Sequence, residues 1–415
     1  MSSLSNKKVI VSDTGMHTFV AEKLAETFAE VYYHIPESSS FPQSTKAKIG
    51  SGLNITRIYD LWKYIDKADM IMFTDLNDGE LQHWLRGKGY NVFGAGRGED
   101  IEIDRVKFLE TLKNVGLPVP KTYRAEGFDD LTKYLDGKGE KYLKTSYFRG
   151  DFESYKFKGM KHLEPWLDDL RSRIGNRAKD IEILVQDPVP SESEVGYDGF
   201  SVNGQFTSNC LVGYEVKDKA YIGKVFREPP AILKTVNDKM GPVFKNLGFA
   251  GHFSSEVRIT KTGKGYFIDP VCGRLPSPPG ELMTELFSNY AEIVWKIAHN
   301  EVPVPKAIAP YGAQIVLVSS WHQNHELCVE FPKELSRHIK LKNHGKFNGS
   351  HYCTPNEGDG YFGGVVGWGS TPKQAMDKCK SVIDEIVAEE LNNDPAVFDT
   401  ATAAIQAGRK FGVNL

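Results

Sequence analysis

Two lysines and an arginine fall close to one glycine-containing turn. Lys107 sits in a helical pattern, and Lys144 ends the short apolar run Tyr142-Leu143-Lys144. Ser146-Tyr147-Phe148-Arg149-Gly150-Asp151 follows as a polar turn. Cations beside a flexible loop can hold a polyphosphate, because a hydrogen bond to a charged group contributes about 1.5–3 kcal/mol. Taken singly, each of these cations reads first as a solvated surface charge.

A pair of carboxylates forms the second feature. Glu256 lies in Ser254-Ser255-Glu256-Val257-Arg258-Ile259 and Asp269 in Phe267-Ile268-Asp269-Pro270, 269 − 256 = 13 positions later. The turn Lys261-Thr262-Gly263-Lys264-Gly265 between them makes the two runs a hairpin, with the acids on adjacent antiparallel strands. Two carboxylates suit Mg²⁺ or Mn²⁺, hard ions that keep coordination positions for water and substrate phosphates. Ion pairs with Arg258 or Arg274 are the structural alternative.

The third feature is Ile183-Leu184-Val185-Gln186-Asp187-Pro188, with Glu192, Glu194 and Asp198 beyond it. A strand edge with free backbone N–H and C=O groups can pair with an adenine ring. A carboxylate further on can accept ribose hydroxyls, and Pro188 and Pro190 would take the chain out of sheet pairing.

The elements that must position these groups follow from periodicity. Residues 7–11 read as a buried strand, 12–15 as a turn, 19–30 as an amphipathic helix, 58–65 as helical, 70–73 as a strand, 80–87 as a helix and 91–93 as a short strand. Strands alternating with helices imply a parallel sheet with ligands at its strand C-termini. Residues 100–115 read as one helix, closed by Gly116 with Pro118 and Pro120 beyond. From there strands are expected at 142–144, 181–186, 194–202 and 206–213, then the hairpin 254–260 and 266–269, and a helix at 281–299. After the proline-rich linker 302–305, strands at 313–318 and 363–367 precede a helix at 372–391 and a polar tail. The expected division is 1–98, a parallel-sheet α/β domain; 99–305, holding the nucleotide and metal residues; and 306–415, a small α+β domain.

Composition narrows the function classes. Of 415 residues, 51 are Lys or Arg and 54 Asp or Glu, a net charge of −3, with 40% hydrophobic and 25% charged residues. This is the composition of a globular protein of several domains. It creates no general field toward nucleic acid or an anionic membrane, so a small-molecule partner is expected, with the chain a monomer or homodimer. No apolar run approaches the length of a membrane span, and the start of the chain is polar. Five scattered cysteines without a C-x-x-C pair suggest neither disulfides nor a cysteine zinc site, and a reducing cytoplasm is the expected setting. The segment 94–98 lacks the spacing of a dinucleotide fingerprint, and the histidines His322, His325, His344 and His351 with Cys353 show no recurring metal-ligand spacing.

The order of the features is the informative pattern: a lysine on a helix, a lysine on a strand, a loop, a strand leading into a hinge with a following Glu, then two acids on a hairpin. It resembles the ATP-grasp superfamily, and over nearly the whole chain it is similar to the phosphoribosylamine–glycine ligase family. Residues 91–122 resemble that family's passage into its ATP-grasp domain. Gly363-Gly364-Val365-Val366-Gly367-Trp368-Gly369-Ser370-Thr371-Pro372 resembles its glycine-rich C-terminal strand and turn. The resemblance implies an N-terminal pre-ATP-grasp domain, a central ATP-grasp fold and a small C-terminal α+β domain. It makes Lys107 and Lys144 ligands of the ATP phosphates, Val185, Gln186 and Asp187 the adenine hinge, Glu194 the ribose contact, and Glu256 and Asp269 the ligands of Mg²⁺ or Mn²⁺. Arg274 would steady the transferred phosphoryl group, and Ser146 to Asp151 would form a lid that keeps water from the acyl phosphate. The implied reaction joins a carboxylate, such as glycine or another amino acid, to an amine, such as phosphoribosylamine or another nucleotide-like amine, through an acyl phosphate.

Three departures from the family bear on that reading. The usual Glu-x-Asn after the hairpin is Asp269-Pro270-Val271 here, so the asparagine that helps hold a second metal is missing. The Asn-Thr-Gly-Gly-Met-Gly loop is replaced near Ala220-Tyr221-Ile222-Gly223-Lys224, and the Gly-Pro-Glu turn by Thr74-Asp75-Leu76-Asn77-Asp78-Gly79-Glu80. These differences leave three readings open: the family's ligase, a ligase acting on an unusual nucleotide or nucleobase amine, and a degenerate nucleotide-binding sensor.

Overall fold

A computed structural model describes residues 4–36, 44–147, 152–355, 360–394 and 396–415. Residues 148–151 of the expected lid lie outside the described residues. The chain forms two compact units, one of Met1–Gly98, Val195–Ser255 and Val271–Leu415, the other of Glu99–Glu194 and Glu256–Pro270. The architecture is mixed as expected, with an N-terminal parallel sheet, central mixed sheets and a smaller C-terminal α+β region. Among the described residues no helix is long and apolar enough to cross a membrane.

In the first unit, five parallel strands run in the order Thr56–Ile58, Glu30–His34, Lys8–Ser12, Met70–Phe73, Val92–Phe93. Val9 and Val11 pack with the helix Thr18–Ala25 in one core cluster, while Ile10 joins Ile71 and Phe73 in another. The central strand is therefore buried on both faces, which is why its sequence is continuously apolar. The helix expected at 19–30 stops at Ala25, and Glu30 opens a strand instead. The aromatic and β-branched run Val31-Tyr32-Tyr33 overrides the helical spacing there. The helix expected at 58–65 is also corrected. Thr56–Ile58 is a strand, followed by the 3₁₀ turns Leu61–Lys63 and Ile65–Lys67.

The same unit contains most of a nine-stranded sheet in which Cys210–Val216, Ala220–Phe226, Tyr311–Val318, Tyr361–Gly369 and Ile339–Leu341 are successive antiparallel neighbours. The helix expected at 281–299 is two helices, Gly280–Leu286 and Tyr290–Ala298. The one expected at 372–391 ends at Ile383, and the expected polar tail contains the helix Val397–Arg409.

The second unit is built on an antiparallel sheet in the order Thr122–Glu126, Glu182–Gln186, Lys141–Thr145, Ser154–Phe157. Helices Gly127–Leu135 and Met160–Ile174, which periodicity did not reveal, cover it through Phe128, Leu131, Leu163 and Leu167. The hairpin reading holds: Ala250–Ile259 and Gly265–Cys272 are neighbouring strands, joined by a turn in which Gly263 takes φ +78°.

Candidate functional site

Register decides which face of the second unit's sheet carries charge. Lys144 lies opposite Leu184, and Tyr142 opposite Gln186. Leu143, Ile183 and Val185 belong to the core under the helices, so strand alternation turns Tyr142, Lys144, Leu184 and Gln186 to the other face. On that face the Lys144 ammonium interacts with Asp269, Arg105, Arg258 and Glu256. Burial brings its pKa down to about 8; Arg105 and Arg258 act in the same direction, against the pull of Asp269 and Glu256. The structure thus brings together Lys144, Glu256 and Asp269 of the expected site residues.

Arg105 is the residue that sequence reasoning missed. Residues 100–115 are not one helix: Asp100–Ile103 ends at Asp104, whose backbone is extended. The Asp104 carboxylate caps a new helix, Arg105–Asn114, by accepting from the backbone N–H of Val106 at 3.0 Å and of Lys107 at 3.1 Å. The break buries Arg105, which is 4% exposed. Its Nη2 donates to Asp269 Oδ1 at 2.8 Å and also pairs with the Glu153 carboxylate. Among the described residues its Nε and Nη1 have no hydrogen-bond partner. Lys107, by contrast, is half-exposed and its ammonium is paired with Asp100 at 2.5 Å. The signal available beforehand was Asp104 itself, an N-cap residue type inside a supposedly continuous helix.

The hinge is corrected in one respect. Glu182–Gln186 is not an edge strand; it pairs with Thr122–Glu126 on one side and Lys141–Thr145 on the other. The Val185 side chain is in the core, Gln186 Nε2 approaches Thr122 Oγ1 at 3.4 Å, and Asp187 pairs with Lys141 at 2.8 Å. The backbone N–H of Asp187 donates to Lys121 O at 2.9 Å, so chain available for a heterocycle begins beyond it. Glu194 accepts from Arg258 Nε at 2.5 Å. Arg274 belongs to the first unit, half-buried just past the strand Gly265–Cys272.

The donor set fits a hard divalent cation. Among the described residues no group of three or more His, Cys, Asp or Glu side chains is placed to hold a metal. Two carboxylates, Glu256 and Asp269, are nevertheless the share a protein commonly gives to Mg²⁺ when phosphates and water supply the rest.

No protein-family model matches the chain, and no curated protein matches it in sequence. Solved structures do match. Phosphoribosylamine–glycine ligase from Thermotoga maritima superposes with a TM-score of 0.71 at 14% identity, over 93% of this chain and 98% of that one. The chain has the fold of the ATP-grasp enzymes. N5-carboxyaminoimidazole ribonucleotide synthetase from the same organism gives a TM-score of 0.60 at 16% identity, over 92% of this chain and 99% of that one. The biotin carboxylase domain of 2-oxoglutarate carboxylase from Hydrogenobacter thermophilus, in complex with MgADP, ADP and bicarbonate, gives 0.66 at 12% identity over 98% of both chains. At such identities the likeness carries the fold and leaves the chemistry to the residues.

Proposed function

We propose that the protein is an ATP-dependent carboxylate–amine ligase whose nucleotide site lies in the unit of Glu99–Glu194 and Glu256–Pro270. The observation that carries this reading is the Lys144 ammonium on the open sheet face, which interacts with both hairpin carboxylates and with the buried Arg105 and has its pKa lowered by burial. In this reading Lys144 and Arg105 hold the ATP phosphates, with Lys107 outside them. The adenine lies against the chain just beyond Val185, Gln186 and Asp187, where sheet pairing ends, and Glu194 receives the ribose. Glu256 and Asp269 hold Mg²⁺ or Mn²⁺, which when bound offsets the phosphate charge. Arg274 steadies the transferred group, as the family resemblance implies.

The γ-phosphoryl group passes from ATP to a carboxylate oxygen, releasing ADP and giving an acyl phosphate. An amine attacks the acyl carbon, phosphate leaves, and the amine's proton goes to solvent. Positioning and charge neutralisation suffice for such transfers, so no side-chain nucleophile is required. The division 1–98, 99–305 and 306–415 belongs to the same reading, as does the cytoplasm as its setting.

The likeness to phosphoribosylamine–glycine ligase supports glycine and phosphoribosylamine as the first pair to test. The bicarbonate in the biotin carboxylase complex adds bicarbonate to the acids. The test is ADP and phosphate release from Mg-ATP across a panel of acids and amines. Release that requires an acid and an amine together is expected, and nucleotide binding with no release for any pair would favour a sensor. Two observations favour that second reading: Arg105 bonds Asp269, and Val271 stands where the family has its metal-binding asparagine.

A further inference from the structure

A groove of about 800 Å³ lies wholly within the first unit, between the turn around Gly204 and the helix Ala231–Leu247. None of its lining belongs to the nucleotide site proposed above. The floor is tightly built: Gly204 takes φ +81°, and a Cβ there would collide with the Gly241 carbonyl of the helix. Two floor side chains are almost fully buried, Asn237 at 3% and Thr207 at 4% exposure. Among the described residues Asn237 Oδ1 and Thr207 Oγ1 have no hydrogen-bond partner, while the rest of the Asn237 amide faces the buried Tyr197 hydroxyl. A buried acceptor without a donor is costly to a fold, so groups of this kind mark places where something outside the chain completes the bonding.

The rim supplies the second half of the recognition. Lys234 is neutralised by Asp238 at 2.7 Å, but Arg227 and Lys245 are exposed and make no side-chain bond among the described residues. Among the described lining residues Glu228 is the only other acid, so the remaining charge favours an anion. Phe206 adds a half-buried ring, packed on Phe244 and Phe253, as an apolar wall. An anion, an N–H donor for Asn237 and a flat apolar body describe one class of molecule. We propose that this groove is a second small-molecule site, which takes a nucleoside monophosphate with its base toward Asn237 and Phe206 and its phosphate toward Arg227 and Lys245.

The experiment is calorimetric titration of the full chain with AMP, using inorganic phosphate as a second probe. Saturable AMP binding is expected in the parent and equally in Lys144→Ala, which disables the proposed ATP site. Binding is expected to weaken about tenfold or more in the surface double variant Arg227→Ala/Lys245→Ala and in Asn237→Leu. The double variant changes only exposed side chains, so it answers the question even if Asn237→Leu does not fold. The proposal is overturned by absence of saturable AMP binding, by its loss in Lys144→Ala, or by parent-like binding in the double variant. Phosphate binding as tight as AMP would overturn the nucleotide assignment.

Discussion

Two polar clusters in this molecule use buried charge in opposite ways. At the C-terminal end of the parallel strand Lys8–Ser12, Asp13 is fully buried and accepts from five donors. These are the backbone N–H groups of Gly15 and His17, the His17 ring at 2.8 Å, Thr74 Oγ1 at 2.8 Å, and the Tyr33 hydroxyl. Burial by itself would raise the Asp13 carboxyl, but His17, Tyr33 and the backbone donors more than offset it and hold it well below the usual carboxylate range. In the second unit the balance is reversed: Lys144 is pushed down, and Arg105 keeps two buried nitrogens without partners among the described residues. A satisfied cluster locks a turn. In the second, Lys144, Arg105 and Arg258 face the carboxylates of Glu153, Glu194, Glu256 and Asp269, yet two guanidinium nitrogens of Arg105 stay without partners among the described residues, and in the reading proposed above the ATP phosphates would take them up.

The contrast predicts different losses. Lys144→Ala or Arg105→Ala should lower ATP turnover about a hundredfold or more, roughly 3 kcal/mol of transition-state stabilisation; the urea midpoint should stay near that of the parent in Lys144→Ala, while Arg105→Ala should also lose stability because it leaves Glu153 and Asp269 without their buried partner. Steady-state ADP release and urea unfolding on the same samples check this. Full activity in either folded variant would remove that residue from the site. Asp13→Ala should do the reverse by orphaning five donors, costing about 3–5 kcal/mol of stability in urea. A parent-like midpoint for Asp13→Ala would end the distinction between the two clusters.

How far the sequence could lead is visible in these same residues. The hairpin acids were legible because strand alternation and a glycine turn are local signals. The strand carrying Lys144 was legible for the same reason. Arg105 was not, because the apolar spacing of 100–115 suits a single helix and only the Asp104 cap reveals the break. The hinge was misread as an edge because Thr122–Glu126, the strand that covers it, has only Ala125 fully buried and shows no apolar alternation. Asp13 was read only as part of a turn, since the partners that define it, Tyr33 and Thr74, are 20 and 61 residues away.

The lowered Lys144 pKa makes the second cluster sensitive to pH. A lysine at about 8 is charged below that value and loses its proton as pH rises through it. If its charge holds the nucleotide phosphates, the KM for ATP should be flat up to about pH 8 and then rise, by as much as tenfold per pH unit. Bound phosphate favours the ammonium, so kcat should hold to higher pH than kcat/KM. A KM that stays flat to pH 9.5 would mean that Lys144 does not hold the phosphates by its charge.

The smallest expected effect separates two cations that lie two positions apart. Were 100–115 one helix, the periodicity would give no reason to prefer Arg105 to Lys107, and either side chain can hold a phosphate. The cap at Asp104 breaks that equivalence. It buries Arg105 against Asp269 and leaves Lys107 half-exposed, with its charge spent on Asp100. An exposed pair of this kind contributes at most about 1 kcal/mol, so Lys107→Ala should change turnover by less than about threefold and stability by a few tenths of a kcal/mol. Arg105→Ala, measured beside it, should lose about a hundredfold. If Lys107→Ala falls as far as Arg105→Ala, the lysine must leave Asp100 when nucleotide binds, and both cations then belong to the phosphate site.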